Sequence, residues 1–88
     1  MVTKTMAVST RLGLHARPAA LFVQEASRFK SKIVVSKGKT EVNGKSVMGI
    51  MLLAAEHGAR VTISVSGPDE AEALKALEGL FHRKFDEE

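Results

Sequence analysis

The sequence predicts an α+β two-layer sandwich in the order βαββαβα, with four antiparallel strands covered on one face by three helices. Three observations predict it. Val61, Ile63 and Val65 fall on alternate positions, as do Val2, Met6 and Val8 with Lys4 interposed, which is strand spacing. Ala19, Phe22, Val23, Ala26 and Phe29 recur at three- and four-residue intervals, which is helix spacing. Ile33 to Val35 and Thr40 to Val42 can pair as an antiparallel hairpin, and all three helices must then cover the same apolar side of one four-stranded sheet.

Taken in order, the first strand runs from Val2 to Val8 and is followed by a polar turn at Thr10 to Gly13. The first helix opens near Ala16, with Pro18 tolerated in its first turn because that amide has no helical partner to lose. Its opposite stripe is Arg17, Ala20, Gln24 and Ser27, so Arg17 faces away from the core. Ile33 to Val35 and Thr40 to Val42 are β-branched runs joined across Lys37, Gly38 and Lys39 as a hairpin. A second helix is expected over Val47 to Ala55, capped by Ser46 and closed by Gly58 in a left-handed conformation. The fourth strand spans Arg60 to Ser66. Asp69 with Glu72 resembles a capping box, and Ala71, Ala73, Leu74, Leu77, Leu80 and Phe81 supply the stripe of a last helix. No linker or repeat divides residues 1–88, which read as one domain with a frayed tail from Asp86 to Glu88.

The chain has 88 residues, 44% of them hydrophobic, and no Cys, Trp or Tyr. One core fits that length and a second does not, which excludes a large multidomain enzyme. No run approaches a membrane span and the N-terminus lacks a signal-peptide pattern, so a cytoplasmic protein is expected. The absence of Cys removes disulfides, thiolate metal sites and cysteine nucleophiles. Up to Lys45 there are nine Lys or Arg against two Asp or Glu, and beyond it four against eight. A basic first half suits phosphate or an acidic protein partner.

His15 stands in Gly13-Leu14-His15-Ala16-Arg17-Pro18, where the turn meets the first helix. The amides of Ala16 and Arg17 and the positive end of the helix dipole converge there, and Arg17 adds donors suited to phosphate oxygens. Both features favour a neutral, nucleophilic imidazole. The plainer alternative is that His15 is a helix cap beside a charged residue.

Gly13-Leu14-His15-Ala16-Arg17-Pro18-Ala19 and, some thirty residues on, Asn43-Gly44-Lys45-Ser46-Val47-Met48-Gly49-Ile50-Met51 resemble the HPr family. These are the histidine-containing phosphocarriers of the bacterial phosphotransferase system. The resemblance covers the whole chain. It implies an open-faced β-sandwich with sheet order 1-4-2-3 and a phosphoryl group accepted on His15 from phosphorylated Enzyme I, ultimately from phosphoenolpyruvate. The group would be steadied by Arg17 and passed to IIA components. It further implies regulatory phosphorylation of Ser46 by HPr kinase/phosphorylase and contact with a transcriptional regulator. The chain would then be a carrier acting as co-substrate, not an enzyme. Neither a cofactor nor a metal is expected, and a monomer is expected.

The second helix is apolar on every side, and a domain this small cannot bury all of it. Val47, Met48 and Met51, with Lys45, Arg17, Ala20 and Gln24, are the expected partner surface. His57 and His82 have no companions at metal-ligand spacing and read as surface residues. Leu12 departs from the small polar residue of many Gram-positive members, and the ending from Phe81 resembles proteobacterial or nitrogen-branch relatives. Sugar uptake and nitrogen-type regulation both stay open as destinations, as does a regulatory module without transfer. An RNA-binding domain would need aromatic platforms on its central strands, whereas Phe22, Phe29, Phe81 and Phe85 fall on helical stripes or the tail. The glycine-rich phosphate loop of a small acylphosphatase-like hydrolase has no counterpart.

Overall fold

The computed structural model describes residues 1–86 and contains β1 (Val2–Ala7), α1 (Ala16–Ala26), β2 (Lys32–Lys37), β3 (Thr40–Asn43), α2 (Val47–Leu52), β4 (Arg60–Ser66) and α3 (Glu70–His82). A 3-10 turn at Lys84–Asp86 follows. The four strands form one antiparallel sheet in the order β1-β4-β2-β3. The fold class, the element order and the sheet order are those expected.

Register explains the two faces. Ile33 lies opposite Val65 and Val35 opposite Ile63, so the β-branched residues of the central strands point together into the core. Thr62 and Ser64 take the other face, opposite Thr5 and Thr3 of β1. The Thr5 and Thr62 hydroxyls lie 3.0 Å apart, so this uncovered face is paired by side-chain hydroxyls as well as backbone. Lys4, which interrupts the apolar alternation of β1, reaches the carboxylate of Glu78 on α3 and so turns an apparent defect into an inter-element ion pair. Between β2 and β3 the loop is Gly38 and Lys39, and Gly38 at φ +61° supplies the positive φ that a tight hairpin turn needs first.

Above the sheet, Phe22, Ala19 and Ala26 of α1, Ile50 of α2 and Ala73, Leu77, Leu80 and Phe81 of α3 pack on Ile33, Val35, Val61, Ile63 and Val65. Full burial of each large apolar side chain contributes about 1.5–3 kcal/mol, which is what holds three helices to one face.

Four expectations are corrected. First, α2 ends at Leu52 with Leu53 as C-cap, three residues short of Ala55, and the left-handed residue after it is Ala54 at φ +50°. Leu53 and Ala55 are both buried, and the Ala55 carbonyl accepts from the Leu14 amide at 2.8 Å, so a cross-chain contact outweighs one more helical turn. Gly58, at φ +87°, belongs to the turn leading into β4. Second, Asp69 occupies the N-cap of α3 without a side-chain cap bond. Its carboxylate accepts from Lys30 N, Ser31 N and Ser31 Oγ, tying the α1–β2 loop to the start of α3. Third, Ala71 is exposed, and the stripe of α3 is carried without it. Fourth, Asp86, expected at the start of a frayed tail, is held in the 3-10 turn. Phe85 is fully buried, with its ring 4.9 Å from that of Phe81, and the Asp86 amide donates to Arg83 O at 2.9 Å. Glu87 and Glu88 lie outside the described residues.

Candidate functional site

His15 is the N-cap of α1, with extended backbone (φ −76°, ψ −170°). Its carbonyl accepts from the Ala19 amide at 3.0 Å, so the helical ladder begins there. Pro18 has no N–H, and the amides of Ala16 and Arg17 therefore have no acceptor along the helix. The imidazole makes no capping bond, and no acidic side chain stands in the first turn to neutralise the dipole. Positive potential is thus concentrated beside a half-buried imidazole.

The approach to His15 is rigidly built. Thr10 is buried and its hydroxyl donates to the Gly13 carbonyl at 2.6 Å, while Gly13 N–H returns to the Thr10 carbonyl at 3.2 Å. Gly13 has φ +74°, and a Cβ there would lie 2.7 Å from the Cα of Glu56 and closer still to the Ala55 carbonyl. Only glycine permits that approach. Leu14, buried, then fastens to Ala55 and delivers His15 to the surface.

A cleft of about 220 Å³ is lined by Leu12, Leu14, His15, Met51, Ala54, Ala55 and Glu56. It joins the start of α1 to the end of α2. Around it α2 buries Ile50 and leaves Val47, Met48 (74% exposed), Met51 (44%) and Leu52 (73%) outward, and Leu12 is 75% exposed. Met48, Met51 and Val47 were expected at this surface. Leu12 and Leu52 were not, although an apolar residue inside a polar turn and the all-apolar helix were signals for both.

Among the expected partner residues, Arg17 and Gln24 are exposed and Ala20 is half-buried on the same stripe of α1. Lys45 is only half-exposed, and its ammonium donates to the Phe29 carbonyl at 2.7 Å, beyond the last turn of α1. It also lines a hollow of about 400 Å³ along β2 and β3 that shares no residue with the His15 cleft. Ser46 caps α2 as expected, accepting from Gly49 N at 3.0 Å. His57 and His82 are exposed: His57 Nδ1 lies 3.1 Å from the Thr10 carbonyl, and His82 Nε2 lies 3.8 Å from Glu78.

Carboxylates away from the cleft are held below their ordinary titration range. Asp69 is lowered chiefly by the Ser31 hydroxyl and then by the Lys30 amide, Glu70 by the Gly67 amide, and Glu78 by Lys4. No group of three His, Cys, Asp or Glu among the described residues is arranged to hold a metal. No described helix is long and apolar enough to cross a membrane.

The family model for the PTS HPr component phosphorylation site matches residues 2–83. The phosphocarrier protein HPr of Treponema pallidum is 54% identical over 88 residues, covering the whole of both chains. The HPr-like protein Crh of Halalkalibacterium halodurans is 52% identical over 77 residues, 88% of this chain and 92% of its own. Among solved structures, HPr-C-His from Thermoanaerobacter tengcongensis superposes with a TM-score of 0.96 at 52% identity, covering 100% of this chain and 99% of that one.

Proposed function

The chain belongs to the HPr phosphocarrier family of the phosphotransferase system, and from that premise we propose that His15 accepts a phosphoryl group from phosphorylated Enzyme I and donates it to IIA components. The observation that carries this reading is the placement of His15 at the start of a helix whose first two amides have no helical acceptor. A lone pair on the imidazole attacks phosphorus as the bond to the donor breaks, so one N–P bond replaces the bond lost. The Ala16 and Arg17 amides and the Arg17 guanidinium stabilise the three phosphoryl oxygens during and after transfer. The same site serves the return step, because an edge of the molecule holds the group without enclosing it. The chain acts as co-substrate and not as a free-standing catalyst.

Partners dock on the exposed apolar rim of α2, Val47, Met48 and Met51, widened by Leu12 and Leu52, with Arg17, Ala20, Gln24 and Lys45 beside it. Methionine adapts to donor and acceptor surfaces in turn. Ser46 is a second target, for an HPr kinase/phosphorylase. A phosphate on its half-exposed hydroxyl adds negative charge beside the docking rim and thereby alters which partners bind.

Incubation with Enzyme I, magnesium and labelled phosphoenolpyruvate tests the relay. Wild type is expected to take an acid-labile, alkali-stable label and His15→Ala none. Absence of label on wild type with competent Enzyme I would leave a regulatory binding module on this fold.

A further inference from the structure

We propose that His57 is a positioning residue for phosphoryl transfer, acting through the Thr10 carbonyl to hold the turn that delivers His15. The inference rests on the reading of His15 given above. Two chain segments run side by side here, residues 8–14 and residues 55–59. Backbone bonds join them at both ends: Val8 N–H to Ala59 O at 2.8 Å and Gly58 N–H to Val8 O at 2.8 Å at one, Leu14 N–H to Ala55 O at 2.8 Å at the other. Between Val8 and Leu14 the chain turns back on itself, held internally by the two bonds between Thr10 and Gly13. Among the described residues, the bond from His57 Nδ1 to Thr10 O, at 3.1 Å, is the one hydrogen bond that ties this turn to the neighbouring segment.

A carbonyl only accepts, so Nδ1 carries the proton and the imidazole donates. The Thr10 oxygen then receives both Gly13 N–H, at 3.2 Å, and His57 Nδ1–H, filling both lone pairs. Its direction is thereby fixed. Gly13, Leu14 and His15 follow directly, so the direction of the Thr10–Gly13 turn sets how the chain enters the Leu14 anchor and, one residue on, the imidazole. His57 does not line the His15 cleft, although its neighbour Glu56 does. His57 therefore acts on the geometry of the reacting histidine and not on the phosphoryl group.

The substitutions that separate a hydrogen bond from a structural filler are His57→Leu and His57→Asn. Leu keeps an apolar side chain and loses the donor; the Asn amide nitrogen stands the same number of bonds from Cβ as Nδ1 and restores it. Transfer from phosphorylated Enzyme I is measured for wild type and both variants, well below their thermal transitions. For His57→Leu we expect kcat/KM to fall about 3- to 10-fold, the range of one hydrogen bond. His57→Asn is expected within about twofold of wild type. Transfer by His57→Leu equal to wild type, or His57→Asn as slow as His57→Leu, would overturn the proposal. Wild type that takes no label overturns the relay itself, a result distinct from either.

Discussion

α1 begins at His15, whose side chain takes no part in capping, whereas α2 begins at Ser46, whose hydroxyl accepts from Gly49 N at 3.0 Å. Both N-caps have extended backbone, and neither first turn carries an acidic residue. The difference is chemical. Serine satisfies an amide that the short α2 cannot satisfy itself, and so supports six residues of helix that would not persist alone. Histidine leaves the amides of Ala16 and Arg17 for something else, and α1 can accommodate this because Pro18, Ala19, Phe22 and Ala26 anchor it in the core. A helix start is available for chemistry where packing, not capping, stabilises the helix.

The strongest way to break this contrast is to make the first helix begin like the second. His15→Ser installs a capping hydroxyl at α1: phosphoryl transfer is expected to vanish while urea unfolding shows a gain of about 0.5–1 kcal/mol. A loss of stability would mean that the imidazole supports the helix and that the trade between cap and nucleophile does not exist here.

The reverse exchange has a smaller effect. Ser46→Ala removes the bond to Gly49 and is expected to destabilise by about 1 kcal/mol in the same urea titration, with Ser46→Asp recovering most of it because a carboxylate also caps. An unchanged midpoint in Ser46→Ala would show that the packing of Ile50 alone holds α2.

The third helix start sharpens the comparison through pH. Asp69 sits at the N-cap of α3 but bonds to Ser31 and Lys30, and these bonds hold its carboxyl below the ordinary value of 3.8. A folded-state value below the unfolded one means the carboxylate contributes stability at pH above 3.8, and that contribution is lost as pH falls through the lower folded value. Stability measured between about pH 5 and pH 2 should therefore decline in wild type, and Asp69→Asn should remove that part of the decline. Identical acid limbs would place the titrating groups elsewhere, Glu70 and Glu78 being the other carboxylates held low.

Much of this was legible in the chain because it depends on local rules. Alternation placed Ile33, Val35, Val61, Ile63 and Val65 inward, helical spacing placed Phe22 and Leu77, and the serine before an apolar run marked a cap. Other features escaped because their causes lie far along the chain. Apolar residues from Val47 to Ala55 read as one helix, yet the bond between Leu14 and Ala55 stops it at Leu52. Asp69 followed by Glu72 has the form of a capping box, yet the α1–β2 loop claims its carboxylate. Asp86 read as frayed tail, yet its amide bonds to Arg83 O beside the buried ring of Phe85.

For the candidate site the division is similar. Sequence by itself determined that His15 stands at the start of the first helix, beside the amides of Ala16 and Arg17 and the guanidinium two residues on, since helix geometry and the residues at 15–17 suffice for that. Only tertiary structure decided what surrounds them. The cleft that brings Met51, Ala54 and Glu56 to His15, the outward turn of Leu12 and Leu52, and the imidazole of His57 on the Thr10 carbonyl all join residues some forty positions apart. No local propensity encodes such contacts: they arise when three helices compete for one face of a sheet and the loops between them take up the remaining hydrogen bonds.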